Sequence, residues 1–237
     1  RDGKSNHRIV MNATVAIVAD GFQEDLVQCV KSVREYSNVP IHVFTSGKEN
    51  KNLCDPLLEF TPFHGGWQKN KLGWGHSVQH LLHTIETKYV VLMDPSTQFV
   101  GDAISPAIAE ADKGYVAVGW KGGLINLDDE WRSVDDKGDG EVDVLFSYFM
   151  IVNRQFAIDA GGANTSATYY RNADLEMTLS LRAHGGKLLQ MALPLTQGRH
   201  HGYHDVDSEY RDKNSKKNYQ RLLDRFRGRN DILAPRR

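Results

Sequence analysis

The stretch that decides the fold runs over residues 90–99 and reads VVLMDPSTQF. Four apolar residues lead directly into Asp94, which is followed by Pro95 and Ser96. Strands of a parallel sheet are buried on both faces, so they read as continuous apolar runs. Ligands of such sheets bind beyond the carboxyl ends of the strands. The stretch therefore predicts a buried strand that brings the Asp94 carboxylate to a ligand-binding edge.

Alternating strand and helix patterns lead up to this stretch. Residues 13–20 and 40–47 are β-branched runs, whereas residues 24–37 and 76–87 have the apolar spacing of helices. With residues 88–94 they give the order strand, helix, strand, helix, strand, which is typical of a doubly wound sheet. We therefore expect an α/β fold with a mostly parallel, Rossmann-like sheet flanked by helices.

The second half of the chain carries weaker signals. Residues 121–141 are polar, acidic and glycine-rich, and they predict a long loop. This loop either closes over a bound ligand or is an inert insertion. Asn172 is a candidate N-cap of a helix whose first turn carries Asp174 and Glu176, where acidic side chains suit the helix dipole.

Composition narrows the functional class. The 237 residues are 40% hydrophobic and 25% charged, and a formal net charge of -1 provides no basic field for nucleic acid. Cys29 lies in an apolar helical pattern, which favours a buried thiol over a disulfide with Cys54 and fits a reducing compartment. No apolar run of about 18 residues and no signal peptide are visible, so we expect a cytoplasmic protein.

The carboxyl-terminal part is basic and amphipathic. We predict one domain over residues 1–210, followed by a basic helix and tail over residues 211–237. The helix either packs its apolar stripe on the domain, pairs with a partner or makes a peripheral contact with anionic lipid. The sequence does not indicate an oligomeric state.

Common catalytic motifs are missing. The chain has no GxGxxG after its first strand, no phosphate-binding GxxxxGK[ST], no GxSxG and no CxxC or HExxH zinc signature. What remains is a carboxylate at a strand end and a histidine-rich loop that contains His200, His201 and His204. A carboxylate and an imidazole suit Mn²⁺ on a diphosphate, although surface histidines in a loop are an equally simple interpretation.

Five stretches of the chain together resemble family-2 glycosyltransferases of the GT-A fold, in the order of that family's motifs. They cover most of residues 14–204, and the ordered set is more specific than any one member. The stretches are VAIVADGFQEDLVQCVKSV (15–33), NKLGWGHSVQHLLHTIETKYVVLMDPST (70–97), VDVLFSYFMIVNRQFAIDAGG (142–162), YYRNADLEMTLSLRAHGGKLL (169–189) and LPLTQGRHHGYH (193–204).

The resemblance implies a role for individual residues. Asp94 occupies the first acidic position of a DxD-type metal motif, and Ser96 stands where the second carboxylate is expected. His200 or His201 occupies a late metal-ligand position, and Asp174 occupies the position of the catalytic base. Positions that touch the nucleotide are Ala19, Asp20, Gly21, Thr45, Lys71, Gly73 and Trp74, and candidates for the sugar or the acceptor are Trp120, Tyr148, Phe149, Arg171 and Glu176.

The resemblance also implies an activity. It predicts inverting transfer of a sugar from a nucleotide-diphosphate sugar to a saccharide or lipid-linked acceptor, as in cell-wall or polysaccharide biosynthesis. The cofactor is Mn²⁺ or Mg²⁺, held weakly because Ser96 is a poorer ligand than a carboxylate. Thr45 leaves uracil, thymine and guanine open as the donor base. The alternatives are a nucleotidyltransferase, which the acidic sequence ADGFQED disfavours, and a non-catalytic nucleotide- or sugar-binding domain.

Overall fold

A computed structural model describes residues 11–237. The strands are β1 (Ala13–Val18), β2 (Ile41–Ser46), β3 (Phe63–Gln68), β4 (Tyr89–Met93), β5 (Thr97–Phe99), β6 (Ala117–Gly119), β7 (Gly122–Ile125), β8 (Val134–Asp135), β9 (Gly140–Val142), β10 (Val144–Leu145), β11 (Phe149–Asn153), β12 (Leu188–Gln190) and β13 (Leu195–Gln197). The helices are α1 (Gln23–Tyr36), α2 (Trp74–Thr84), α3 (Ile104–Ala111), α4 (Arg154–Asp159), α5 (Ala173–Ala183), α6 (His201–His204) and α7 (Ser208–Phe226).

Eight strands form one mixed sheet in the order β3-β2-β1-β4-β11-β6-β12-β9. Strands β3, β2, β1 and β4 are parallel, β11 runs antiparallel between β4 and β6, and β12 is parallel to β6. The predicted α/β fold with a mostly parallel sheet is therefore confirmed. Because β1, β2 and β4 are parallel neighbours, their carboxyl ends open onto the same edge.

Apolar side chains cover both faces of the sheet. On one face α1 buries Leu26, Val30 and Val33, and on the other α2 buries Val78 and Leu82. These residues recur at the helical spacing seen in the sequence, so each helix has one face that must be removed from water. Continuous burial of all five residues of β4 matches its apolar run and fixes the strand that precedes Asp94.

The segment 121–141 is not the long loop that its composition predicts. It contains β7 and β8, which pair as an antiparallel hairpin, and most of β9, which joins the edge of the main sheet. A side chain at Gly123 would meet the Asp135 carbonyl oxygen at 2.4 Å, so this glycine permits close strand approach. Trp131 is 3% exposed. The segment is therefore anchored to the core through β7 and Trp131, and the prediction of one long loop without strands is wrong.

The last long helix, α7, packs on the domain. It begins at Ser208, so the predicted boundary at residue 210 falls inside it, and its apolar side places Leu222 and Phe226 against Leu175 and Leu179 of α5. Of the alternatives for this helix, packing of its apolar stripe is the one observed. No helix among residues 11–237 is long and apolar enough to cross a membrane.

Two local predictions have different outcomes. Cys29 is a fully buried free thiol, as expected from its position in α1. Asn172 occupies the N-cap position of α5 but makes no side-chain cap hydrogen bond, and its backbone is left-handed with φ 67°. Its amide instead donates to the Ser215 carbonyl of α7 at 3.1 Å, so it ties two helices together. The predicted N-cap position is confirmed, but the Asn172 side chain does not cap the helix.

Candidate active site

A cleft of about 470 Å³ lies at the carboxyl edge of the parallel strands. The ends of β1, β2 and β4, the start of α2, the segment 168–170, the segment around α6 and the first half of α7 form its walls. Nine of the residues predicted for the site line this cleft: Ala19, Asp20, Gly21, Lys71, Gly73, Trp74, Asp94, Ser96 and His200. The sheet topology therefore brings together positions that are up to 181 residues apart in the sequence.

Asp94 and His200 face each other in the cleft. The distance from Asp94 Oδ2 to His200 Nε2 is 3.2 Å. Asp94 Oδ1 accepts hydrogen bonds from the Ser96 amide at 2.8 Å and the Ser96 hydroxyl at 2.5 Å. The Ser96 hydroxyl also accepts from Gln197 Nε2 at 3.1 Å. Ser96 therefore fixes the orientation of Asp94, which is a different task from the metal ligation predicted for it.

His200 has capacity for a further ligand. Its ring stacks on Tyr170 with 5.0 Å between centroids, and both ring nitrogens are buried without a hydrogen bond among the described residues. The 3.2 Å approach to Asp94 thus lacks hydrogen-bond geometry. Burial lowers the pKa of His200, but the Asp94 carboxylate outweighs it and raises the pKa above its usual value. Burial likewise opposes ionisation of Asp94, yet His200 and Ser96 hold its pKa below the ordinary range.

A divalent cation fits these two side chains. Mn²⁺ accepts an imidazole nitrogen and a carboxylate oxygen as ligands. The buried ring nitrogens of His200 have no hydrogen bond among the described residues, so one of them is available to bind a metal ion. Among residues 11–237 no group of three or more His, Cys, Asp or Glu side chains could hold a metal ion. The protein thus offers two ligands, and other ligands have to come from a bound molecule or water.

His201 does not share this role. Its Nδ1 pairs with the Asp25 carboxylate of α1, and its ring stacks on Phe22 with 5.3 Å between centroids. Of the two histidines that the sequence left open, His200 is therefore the one that faces Asp94. His201 instead holds the loop that carries His200 against the start of α1.

A polar cluster occupies the opposite end of the cleft. The Lys71 ammonium lies 2.5 Å from Asp20 and 2.8 Å from Glu49, on exposed side chains. Asn50 is 2% exposed and donates to Asp20 Oδ1 at 2.9 Å and to the Ser46 carbonyl at 2.8 Å, while it accepts from the Gly21 amide at 3.0 Å. Asn50 therefore sets the shape of the loop after β1. Sequence reasoning missed it because a buried side-chain amide after a turn leaves no periodic signal.

Thr45 does not line the cleft. It is 2% exposed and its hydroxyl donates to the Gly66 carbonyl at 3.4 Å, on the neighbouring strand β3. Side chains alternate along a strand, so the next residue, Ser46, points to the opposite side and lines the cleft. The Ser46 hydroxyl accepts from the Leu72 amide at 2.8 Å. Ser46, and not the predicted Thr45, therefore reaches the cleft from β2.

The start of α2 is pressed against the segment 164–168. A side chain at Gly73 would meet the Thr168 Cα at 2.6 Å, and one at Gly75 would meet the Asn164 carbonyl oxygen at 1.9 Å. The Trp74 and Gly75 amides donate to the Thr168 and Ala167 carbonyls at 3.1 and 2.9 Å. The GWG sequence therefore serves this close backbone approach, which in turn positions Thr168 in the cleft.

Asp174 lies directly behind the cleft wall. It is 4% exposed, and its Oδ2 accepts from the Ser147 amide at 2.8 Å and the Ser147 hydroxyl at 3.1 Å. Ser147 lines the cleft, whereas Asp174 does not. Burial raises the pKa of Asp174 to about 6, and the hydrogen bonds from Ser147 and Leu175 oppose part of this rise. A carboxylate with this pKa is ionised at neutral pH and can still accept a proton.

The candidates for the sugar or acceptor site lie outside the cleft lining. Phe149 is fully buried against Phe99, and Trp120 is half-buried beside the same core cluster, so neither lines the cleft. Tyr148 does not line the cleft either, but the centre of its ring lies 5.7 Å from that of His200, which does. Burial, followed by the charges of Asp174 and Asp94, raises the pKa of Tyr148 to about 12.

Arg171 and Glu176 also point elsewhere. The Arg171 guanidinium lies 5.1 Å from the centre of the Tyr203 ring. Glu176 is 1% exposed, and its Oε1 accepts from Asn164 and from Arg225 at 2.9 Å each. The partners of Glu176 are therefore on α7 and in the segment before α5. Four residues that the sequence did not indicate form this end of the cleft instead: Tyr169, Tyr170, Tyr210 and Asn214.

Comparisons with known proteins identify the fold. No protein-family model and no curated protein sequence matches the chain. Among solved structures, that of GalNAc-T7 with UDP, GalNAc and Mn²⁺ has a TM-score of 0.67 at 14% identity and covers 92% of this chain and 48% of its own.

Two further structures agree with the first. The mannosyltransferase PcManGT from Pyrobaculum calidifontis with GDP-Man and Mn²⁺ has a TM-score of 0.61 at 14% identity, covering 76% of this chain and 55% of its own. TarS 1–349 of S. aureus has a TM-score of 0.61 at 11% identity, covering 94% of this chain and 74% of its own. This chain spans about half the length of the first two. The protein therefore has the GT-A fold of glycosyltransferases.

Proposed function

We propose that this protein transfers a sugar from a nucleotide-diphosphate sugar to an acceptor hydroxyl, with inversion at the anomeric carbon. The observation that carries the proposal is the partly buried pair of Asp94, at the end of β4, and His200, whose ring nitrogens have no hydrogen bond among the described residues, in the lining of a cleft of donor size. The fold supports it, since similar structures contain UDP or GDP-Man together with Mn²⁺.

The donor occupies the cleft from the loop after β1 to His200. Asp20, Gly21 and Ser46 surround the nucleoside, and Asn50 holds this loop in shape. Asp94 and His200 hold the divalent cation on the diphosphate. A cation bound there supplies positive charge to the leaving diphosphate. Lys71 adds a further positive charge at the nucleotide end, where it is shared with Asp20 and Glu49.

We assign the base to Asp174, which acts through the Ser147 hydroxyl. Ser147 faces the cleft and donates to Asp174 at 3.1 Å, so an acceptor proton can pass to Ser147 while the Ser147 proton passes to Asp174. The acceptor oxygen bonds to the anomeric carbon as the bond from that carbon to the diphosphate oxygen breaks. Direct displacement by one base-activated hydroxyl inverts the anomeric centre.

A second candidate is a non-catalytic nucleotide-binding domain. One observation favours it: Asp174 is 4% exposed and has no direct access to the cleft. The two candidates differ in turnover. Incubation with UDP-, GDP- and dTDP-sugars, Mn²⁺ and a panel of saccharides is expected to release nucleoside diphosphate with wild type and with Asp212→Asn, a control on the exposed side of α7. Asp174→Asn and Ser147→Ala are expected to lose most of this release. Nucleotide binding without release from any donor would favour the binding domain.

A further inference from the structure

Two cavities lie along one side of α7. Tyr210 and Asn214 line the cleft, and Arg225, four turns further along the helix, lines a second cavity of about 270 Å³. The segment 164–168 borders both cavities, because Thr168 lines the first while Asn164 and Thr165 line the second. The surface between this segment and α7, here called the groove, therefore lies between the two cavities.

The floor of the groove is built from ordered polar contacts. The Thr168 hydroxyl donates to Asn214 Oδ1 at 2.9 Å, and the Asn214 amide donates to the Tyr210 carbonyl at 2.8 Å. Tyr210 is 45% exposed and its ring lies 5.8 Å from that of Tyr169. An exposed aromatic ring at the mouth of a polar groove gives a surface on which the apolar face of a sugar ring can pack.

Two lysines mark this side of the helix. At 100° per residue, Lys213 and Lys217 lie on the same side of α7 as Tyr210 and Asn214. Both are exposed, and neither has a carboxylate within 4.0 Å among residues 11–237. The exposed acids nearest to them on the helix are Glu209, one turn before Lys213, Asp212, which accepts from Arg211 at 2.9 Å, and Asp224, which accepts from Gln220 at 2.8 Å. The lysine pair (Lys213 and Lys217) thus places between the cavities two positive charges that make no ion pair among residues 11–237.

The row of positive charge continues to the second cavity. Arg221 and Arg225 follow the lysine pair at helical spacing, and they lie 3.6 and 2.9 Å from Glu176. One buried carboxylate faces two guanidinium groups there, so this end of the groove also carries excess positive charge. The apolar side of α7 is covered by α5, which leaves no apolar helix face for insertion into lipid.

We infer that the acceptor is an extended saccharide or polyol chain that carries phosphate or carboxylate groups, and that it lies in this groove against the lysine pair. The inference rests on the proposed function, since it assigns the substrate class of the same cleft. The hydroxyl to be glycosylated enters past Tyr210, while the anionic groups extend toward Arg225. Charge complementarity selects the acceptor.

The test compares adjacent lysines of α7. Lys216 is exposed like Lys217, but it points away from the groove, so Lys216→Gln is a matched control for Lys213→Gln/Lys217→Gln. Binding of glycerol phosphate oligomers, oligogalacturonate and neutral cello-oligosaccharides is measured by calorimetry with the full chain. We expect one anionic chain to bind wild type and Lys216→Gln with equal affinity and the double variant about tenfold more weakly. Neutral chains are expected to bind wild type more weakly than this anionic chain does.

Four results would overturn the inference. They are no binding of any anionic chain, equal weakening by Lys216→Gln, preference for the neutral chain, and lysine-dependent binding only to phosphatidylglycerol vesicles. Whether the proposed function fails is tested separately, by measuring whether UDP, GDP or dTDP with Mn²⁺ stabilises the same proteins. If anionic chains bind but no nucleotide stabilises the protein, the assignment of the groove would stand and the proposed sugar transfer would be contradicted.

Discussion

Asp174 makes the stability of this protein depend on pH in a defined direction. In an unfolded chain an aspartate has a pKa of about 3.9, whereas burial raises the pKa of Asp174 in the folded protein to about 6. The folded state therefore holds this proton more tightly than the unfolded state. Its stabilising effect is fully present below about pH 4, is lost as pH rises toward 6 and is absent above that value.

The size of the effect follows from the difference between the two pKa values. Two pKa units at 1.36 kcal/mol each amount to about 3 kcal/mol. Asp174→Asn removes the titration, while all other groups remain and cancel in a comparison with wild type. We expect the free energy of unfolding of the variant, minus that of wild type, to increase by about 2 kcal/mol between pH 4 and pH 7, since about half of the unfolded carboxyl groups are already ionised at pH 4.

Urea unfolding of both proteins at half-unit pH steps measures this difference directly. The absolute stability of the variant does not matter, because the amide disturbs the hydrogen bonds from Ser147 and Leu175 equally at every pH. A difference that stays constant within about 0.5 kcal/mol, or that falls as pH rises, would refute the assignment of a buried, reluctantly ionised carboxylate at this position.

Three further predictions concern other parts of the site. Asn50→Leu loses three hydrogen bonds around the loop after β1, so we expect a loss of about 2 to 3 kcal/mol in urea unfolding and weaker stabilisation by nucleotide; an unchanged nucleotide shift would contradict its role. Gly75→Ala places a methyl group against a backbone carbonyl and should cost more than about 2 kcal/mol, whereas Gly198→Ala, which makes an ordinary contact, should be nearly neutral; equal effects would count against the close approach. Transfer activity should fall as pH drops below about 6 in wild type, because protonated Asp174 cannot accept a proton, and a flat profile down to pH 5 would exclude it as base.

The sequence predicts the sheet well where burial is complete. β4 is buried along its whole length, so its apolar run and the carboxylate after it are enough to place Asp94 at the cleft. The strands of the segment 121–141 escape prediction because each is two to four residues long and is held by pairing and by glycines such as Gly123 rather than by its own pattern.

The site itself is predicted less evenly. Positions at strand ends are fixed by topology, so Asp20 and Asp94 are found correctly in the cleft. Thr45 and Ser46 differ only in the direction of the side chain, and an error of one residue moves a side chain to the other face of a strand. Tyr169, Tyr170 and Tyr210 are not predicted for the site, because they reach the cleft through the packing of α7 on the segment 168–170. No local sequence pattern encodes this packing.

The central claim is that Asp94 and His200 together hold a divalent cation on a nucleoside diphosphate. The most direct measurement is the affinity of UDP, GDP and dTDP by calorimetry, with and without Mn²⁺, for wild type, Asp94→Asn, His200→Gln and the control Asp212→Asn. The account predicts that Mn²⁺ strengthens binding of one nucleotide by about tenfold or more in wild type and the control, and by less than about twofold in the other two variants. An equal effect of Mn²⁺ in Asp94→Asn, or no effect in wild type, would contradict it.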